Sequence, residues 1–166
     1  MLRAALAVLA LAAVAGAADF TVTGKDFRCI LDGKPVEGKT FYVFHRNKQK
    51  LRKALKIANR DLPNKHYPVG TILQLFPFEA MVKHARSFNP AADGWEFLQL
   101  SVSAGGTSIL HQGKAEVANL FGSCQGCHSR ASRFDFVCEG HGIGGVPFTP
   151  DQIRTIQAAD PRCQPR

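Results

Sequence analysis

The chain has 166 residues and a formal net charge of +8 at pH 7. This length suffices for one hydrophobic core and is short for two domains, so we expect a single domain. The positive charge agrees with solubility alone, with an acidic redox partner and with a membrane surface as partner. No nucleic-acid partner is expected, because the chain has an export leader and no recognisable nucleic-acid-binding motif.

Residues 1–18 have the pattern of a secretory signal peptide. Arg3 gives a basic start, residues 4–14 form an unbroken apolar run, and Ala-Gly-Ala at residues 15–17 is a small-residue cleavage pattern. The run is shorter than the about 20 apolar residues that span a bilayer. We therefore expect cleavage, a periplasmic domain over residues 19–166, and no stable membrane insertion.

The first half of that domain predicts strands on either side of one helix. Loose alternation predicts a strand over residues 19–30, and β-branched and aromatic residues predict another over residues 40–44. Asn47 is a candidate N-cap for a helix that runs to residue 59. Residues 71–76 have the composition of a buried strand.

Three more strands are predicted over residues 79–86, 95–102 and 108–111. In the longest of them, alternation places Trp95 and Phe97 on one face. The sequence therefore predicts an α+β fold in which strands predominate.

Two further helices are predicted. Residues 114–121 have helical spacing, with Leu120 on the buried side. Thr149 and Gln152 form a capping-box pattern, which predicts a last helix from there to about residue 159.

Cys124, Cys127 and His128 form a Cys-x-x-Cys-His motif, which is typical of covalent attachment of one haem c. Each thiol can add to a haem vinyl group, and the imidazole of His128 can then ligate the iron. A redox dithiol and a zinc knuckle are the alternatives. No second Cys-x-x-Cys or His-x-x-His pair completes a zinc site, and no thioredoxin-like βαβ pattern surrounds the motif.

Three other cysteines, Cys29, Cys138 and Cys163, allow one disulfide in an exported protein. We predict that Cys138 pairs with Cys163.

Four motifs occur in the same order as in a known family. They are Tyr-Pro-Val-Gly-Thr at residues 67–71, Met-Val-Lys-His at 81–84, Trp-Glu-Phe at 95–97, and the haem motif at 124–128 with Asp-Phe-Val at 135–137. Together they resemble the cytochrome P-460 family, which includes hydroxylamine-oxidising cytochromes and the β-type cytochromes c-prime (cytochrome c-prime-beta). The resemblance covers residues 41–137.

The resemblance implies a mostly antiparallel β fold with a few helices, usually a homodimer, with a single c-type haem held near the C-terminal part. It also implies a five-coordinate iron whose distal face is open. An open face separates such proteins from electron carriers, in which a second side chain closes the iron.

One departure from the family bears on activity. In the hydroxylamine oxidases a lysine is crosslinked to the haem, and Leu75 takes that position here. The β-type cytochromes c-prime also lack the crosslink and have phenylalanines over the distal iron face, for which Phe76 and Phe78 are the candidates. The resemblance thus implies binding of nitric oxide or a similar diatomic gas, and ordinary core packing of the two rings is the alternative.

Two other activities stay open. Glu79 is the carboxylate that would accept a proton in a haem oxidoreductase acting on hydroxylamine or peroxide. An electron-transfer cytochrome c, serving a redox partner protein, would instead use His84, His141 or Met81 as sixth ligand. In each case Arg130 is a candidate to pair with a haem propionate, since a guanidinium matches a carboxylate.

Overall fold

The computed structural model describes residues 20–120, 122–141 and 145–163. The predicted leader, residues 1–18, lies outside these ranges. In the predicted domain, residues 19, 121, 142–144 and 164–166 also lie outside them. Within the described ranges, no helix combines the length and the apolar character needed to cross a membrane.

Six strands, each antiparallel to its neighbour, form one sheet in chain order. The strands are β1 (Lys34–Pro35), β2 (Tyr42–Phe44), β3 (Ile72–Gln74), β4 (Glu79–Lys83), β5 (Trp95–Ser103) and β6 (Gly106–Gly113). A small hairpin of β7 (Ala118–Asn119) and β8 (Gly122–Ser123) follows. The prediction of an α+β fold with a mostly antiparallel sheet is confirmed, as are five of the predicted strands.

Three α-helices complete the described part of the chain: α1 (Lys48–Arg60), α2 (Cys124–His128) and α3 (Pro150–Ala158). The Asn47 side chain caps α1 by accepting hydrogen bonds from two main-chain N–H groups. Thr149 and Gln152 form the predicted capping box of α3. The starts of these two helices were therefore predictable from their capping residues.

The sheet separates two hydrophobic clusters because successive side chains on a strand point to opposite faces. On β5, Trp95 and Phe97 join the cluster that includes helix α1, whereas Leu98 and Leu100 join the other. Val22 and Phe27, from the segment before β1, cover the second face. The first face is the one that carries the site described below.

The predicted strand over residues 19–30 is wrong for the residues that the structure describes. The chain there forms two 3-10 turns, Gly24–Asp26 and Ile30–Asp32. Asp26 Oδ2 accepts a hydrogen bond of 2.9 Å from the Thr23 main-chain N–H. Local hydrogen bonds of this kind compete with pairing into a sheet.

The predicted helix over residues 114–121 is also wrong, because the β7–β8 hairpin occupies this region. Leu120, predicted to be buried, is 99% exposed. Phe121 lies outside the described residues. An eight-residue helix is marginal in isolation, and the Gln99 side chain donates a hydrogen bond of 2.6 Å to the Ala118 carbonyl, which holds the extended conformation.

The disulfide joins Cys29 to Cys163, so the predicted Cys138–Cys163 pairing is wrong. Asp160 Oδ2 accepts a hydrogen bond of 2.9 Å from the Ile30 N–H, next to the bridge. Arg162 donates to the Phe27 carbonyl at 3.2 Å. These contacts bring the segment after α3 against the segment before β1, where Cys29 lies.

Candidate functional site

The Cys-x-x-Cys-His motif forms the whole of α2. Ser123 caps the helix, its hydroxyl oxygen accepting a hydrogen bond of 3.2 Å from the Gly126 N–H. A helical turn places residues three apart on the same side, so Cys124 and Cys127 share one face. His128 is the last residue of the helix.

A buried asparagine attaches this short helix to the sheet. The side-chain amide of Asn89 donates to Gln125 Oε1 at 2.9 Å and to the Trp95 carbonyl at 2.8 Å. Gln125 lies between the two thiols in sequence. The position of the motif is therefore set by β5 as well as by the hairpin that precedes it.

Cys124, Cys127 and His128 line one cavity of about 380 Å³. The lining comes mainly from strands β3, β4 and β5, from the β7–β8 hairpin and α2, from residues 137–139, and from residues 145–153, which include the start of α3. Its apolar side chains include Leu73, Leu75, Met81, Phe97, Val137 and Ile153. A concave, mainly apolar cavity with a few polar groups is the usual form of a cofactor site.

His128 has one ring nitrogen engaged and one left for a ligand. Its Nδ1 lies 2.7 Å from the Phe136 carbonyl oxygen. That carbonyl can only accept, so Nδ1 carries the proton, and the lone pair of the neutral ring is on Nε2. Burial lowers the pKa of His128, which favours the neutral form.

Three cysteines lie at this cavity, and all three are outside the disulfide. Burial raises the pKa of Cys124 to about 11 and that of Cys138 to about 12, so both thiols are protonated at neutral pH. Cys138 Sγ lies 3.7 Å from His128 Nδ1. Sequence reasoning missed this position, although Cys138 directly follows the Asp-Phe-Val motif.

Glu79 lines the same cavity, at the first residue of β4. Its Oε1 accepts a hydrogen bond of 2.8 Å from Asn119 Nδ2. Burial raises the pKa of this carboxyl, and the bond from Asn119 opposes the rise. A carboxyl with a raised pKa can exchange a proton nearer to neutral pH than an ordinary one.

The two phenylalanines considered as a cap do not line the cavity. Phe76 is buried, and Phe78 stacks on it with ring centroids 5.2 Å apart. Phe76 also meets Phe148 edge-on at 5.6 Å, and Phe148 does line the cavity. Phe76 thus packs against the ring that lines the cavity, whereas Phe78 contacts Phe76 and is 42% exposed.

The structure separates the candidates for a sixth ligand. His84 Nε2 lies 2.8 Å from Glu96 Oε2, and the His141 ring stacks on Phe134 with centroids 3.5 Å apart. Neither histidine lines the cavity, whereas Met81 does. Among the described residues of the lining, His128 is the only histidine.

No lysine or arginine is among the described residues that line the cavity. Arg130 is exposed on the 3-10 helix that follows α2. Leu75, at the position of the crosslinking lysine in the resemblance, faces the cavity, whereas Lys83 is buried between Asp93 and Asp135 at 2.8 and 2.6 Å.

These residues fit a covalently attached haem. Two thiols outside any disulfide share one helical face, and a neutral imidazole next to them keeps Nε2 available. All three groups border an apolar cavity. Cys138 would complete a Cys3His set for zinc, but these four side chains are not among the groups of the described residues whose ligand atoms lie within 4.8 Å of one another.

No family model matches this chain, and neither the curated proteins nor the solved structures include a match.

Proposed function

We propose that this chain is an exported c-type haem protein with one five-coordinate haem, which binds nitric oxide or a similar diatomic gas. The observation that carries the proposal is that Cys124, Cys127 and His128 border one apolar cavity, with Nδ1 of the histidine held by a main-chain carbonyl. The resemblance to the cytochrome P-460 family supports it. Periplasmic location and a homodimeric state belong to the same proposal.

The chain supplies the attachment and the proximal ligand. Cys124 and Cys127 provide the two thioether sulfurs, and His128 provides Nε2 to the iron. When bound, the haem supplies an iron with an open coordination position. The Phe136 carbonyl keeps the imidazole in one tautomer and orientation.

The rest of the cavity favours small uncharged ligands. The lining is mainly apolar, and its carboxylates Glu79 and Glu139 are both hydrogen-bonded, the latter to the Thr40 N–H at 2.6 Å. An apolar wall donates no hydrogen bonds to bound water or oxygen and still admits a diatomic gas. The absence of the crosslinking lysine at Leu75 agrees with gas binding rather than with hydroxylamine oxidation.

Optical spectra of protein made in a host that attaches haem c test this proposal. We expect one covalent haem per chain, a high-spin reduced form, and uptake of nitric oxide. Cys124→Ala with Cys127→Ala should abolish covalent attachment, whereas Cys138→Ala should retain it. A chain that matures without haem, or a six-coordinate low-spin form that ignores nitric oxide, would refute the proposal.

A second candidate function is oxidation of hydroxylamine or reduction of peroxide at the same haem. The observation that favours it is the carboxyl of Glu79 in the cavity, with its raised pKa. Turnover of hydroxylamine with an artificial electron acceptor, or of peroxide with an artificial electron donor, should then fall at least tenfold in Glu79→Gln and persist in the control Glu139→Gln. Equal turnover by the parent and Glu79→Gln would remove Glu79 from this role.

A further inference from the structure

Asp135, which belongs to the last of the four motifs, contacts a residue from each of the other three. Its Oδ2 accepts a hydrogen bond of 2.7 Å from the Tyr67 N–H, and its Oδ1 accepts one of 2.6 Å from Lys83 Nζ. Its main-chain carbonyl accepts one of 2.7 Å from Trp95 Nε1. With 2% of its surface exposed, Asp135 is held from three directions inside the core.

These contacts hold an unfavourable backbone conformation. Asp135 and Phe136 have φ angles of 52° and 65°, so two consecutive residues with side chains are left-handed. Such a conformation costs free energy and persists only where surrounding contacts impose it. The hydrogen bond of 3.0 Å from the Phe136 N–H to the Ala131 carbonyl closes the turn.

The turn presents one group to the candidate haem site. The Phe136 carbonyl oxygen, directly after Asp135, is the acceptor that lies 2.7 Å from His128 Nδ1. A change in the Asp135–Phe136 turn would rotate this carbonyl. The contacts of Asp135 therefore set the geometry of the hydrogen bond to His128.

We propose that Asp135, with its partners Lys83 and Trp95, positions His128 as the axial ligand and tunes the iron through the Phe136 carbonyl. This inference rests on the proposed haem function. It assigns a role to the Lys83–Asp135 ion pair, which lies outside the cavity lining. None of the three residues needs to touch the haem or its ligand.

The physical effect follows from hydrogen bonding to the proximal imidazole. A carbonyl that accepts from Nδ1–H increases the electron donation of Nε2, which strengthens the iron–histidine bond and favours the oxidised iron. Loosening the turn should weaken this bond and make the reduction potential more positive. A purely structural role would lower stability without either change.

Asp135→Asn tests the inference because it removes the charge that faces Lys83 and keeps the size of the side chain. In the haem-loaded protein we expect a lower iron–histidine stretching frequency in the resonance Raman spectrum of the reduced form, and a more positive reduction potential.

Asp160→Asn is the matched control. Asp160 is 3% exposed, accepts from the Ile30 N–H, and pairs with Arg162 at 2.7 Å. It should lose stability and keep both the stretching frequency and the potential of the parent.

Trp95→Phe covers the case in which Asp135→Asn does not fold. It removes the Nε1–H donor to the Asp135 carbonyl together with part of a fully buried ring, and should shift both readouts in the same direction by a smaller amount. A parent protein that takes no haem would overturn the proposed function and this inference together. If the parent takes haem, and the folded variants keep its iron–histidine stretching frequency and its reduction potential, the inference alone is overturned.

Discussion

Asn119 Nδ2 donates a hydrogen bond of 2.8 Å to Glu79 Oε1, which ties the β7–β8 hairpin to the first residue of β4. Both residues line the cavity next to Cys124. The contact therefore joins a segment that sequence patterns predicted correctly, β4, to one that they did not.

Glu79 should make the folded state less stable as the pH rises. Burial raises the pKa of this carboxyl above its ordinary value of 4.5, so the folded chain holds the proton more tightly than the unfolded chain. The resulting destabilisation is absent well below 4.5, grows between that value and the raised pKa, and is complete above it. Urea unfolding across this range should show a stability loss in the parent that Glu79→Gln removes.

Asn119→Ala is the complementary variant. The bond from Asn119 lowers the pKa of Glu79, so its loss should raise that pKa further and extend the stability loss to higher pH. A loss that stays unchanged in both variants would show that Glu79 is not its source.

Asn89→Ala should detach α2 from the sheet. It leaves Gln125 Oε1 and the Trp95 carbonyl without their donor, which should cost about 1–3 kcal/mol in the free energy of unfolding. The amount of covalent haem per chain should also fall in this variant. The control is Asn59→Ala, where the exposed side chain accepts a hydrogen bond of 3.1 Å from the Glu37 N–H; because water can replace this bond, we expect a smaller loss than in Asn89→Ala and an unchanged haem content.

Gln157→Leu should loosen α3 from the sheet. The buried amide of Gln157 donates to the Thr40 and Leu75 carbonyls at 2.6 and 2.7 Å, and Leu75 lines the cavity. Loss of both donors should lower the free energy of unfolding by about 1–3 kcal/mol. Gln49→Leu, at an exposed position of α1, is the control; a similar loss in both would contradict the role of the amide.

Cys29→Ser combined with Cys163→Ser should lower the free energy of unfolding by about 2–5 kcal/mol, because the bridge closes a long loop. Cys138→Ala, which removes a thiol outside the disulfide, should cost less. Peptide mapping of the parent would contradict the pairing if it recovered a Cys138–Cys163 peptide.

Met81→Leu distinguishes a gas-binding protein from an electron carrier. The change conserves volume, so it should cost less than about 1.5 kcal/mol. With an open iron face, the spectrum of the reduced protein should stay high-spin in parent and variant. A parent that is low-spin and becomes high-spin in Met81→Leu would identify Met81 as the sixth ligand.

Strands with strong alternation and helices with clear caps were predictable from sequence. Trp95 and Phe97 lie on one face of β5, and Asn47 and Thr149 cap their helices as predicted. In each case the deciding interaction is local, or depends on burial of one face.

The two wrong elements depend on individual hydrogen bonds. Asp26 caps its own turn before β1, and Gln99, from a distant strand, holds the Ala118 carbonyl in the hairpin. The second of these contacts joins residues 19 positions apart. The hydrophobic pattern of a short sequence window therefore does not predict this contact.

The candidate site, too, was predictable from the sequence only in part. The motif in Cys124–His128 was recognisable because its residues are adjacent in sequence. The rest of the lining, such as Phe148 and Cys138, comes from segments that only the folded chain brings together. Likewise the disulfide partner of Cys163 could not be chosen from spacing, because three cysteines permit more than one pairing.

The Cys29–Cys163 bridge imposes an order on biosynthesis. Cys29 is synthesised early, and Cys124, Cys127 and Cys138 are all synthesised before Cys163. Any disulfide that Cys29 forms before residue 163 is made is therefore a wrong one, and two of its three wrong partners are the thiols of the proposed haem site. In the oxidising compartment that the proposed export implies, correct pairing thus depends on keeping these thiols reduced, or on reshuffling, until Cys163 is present.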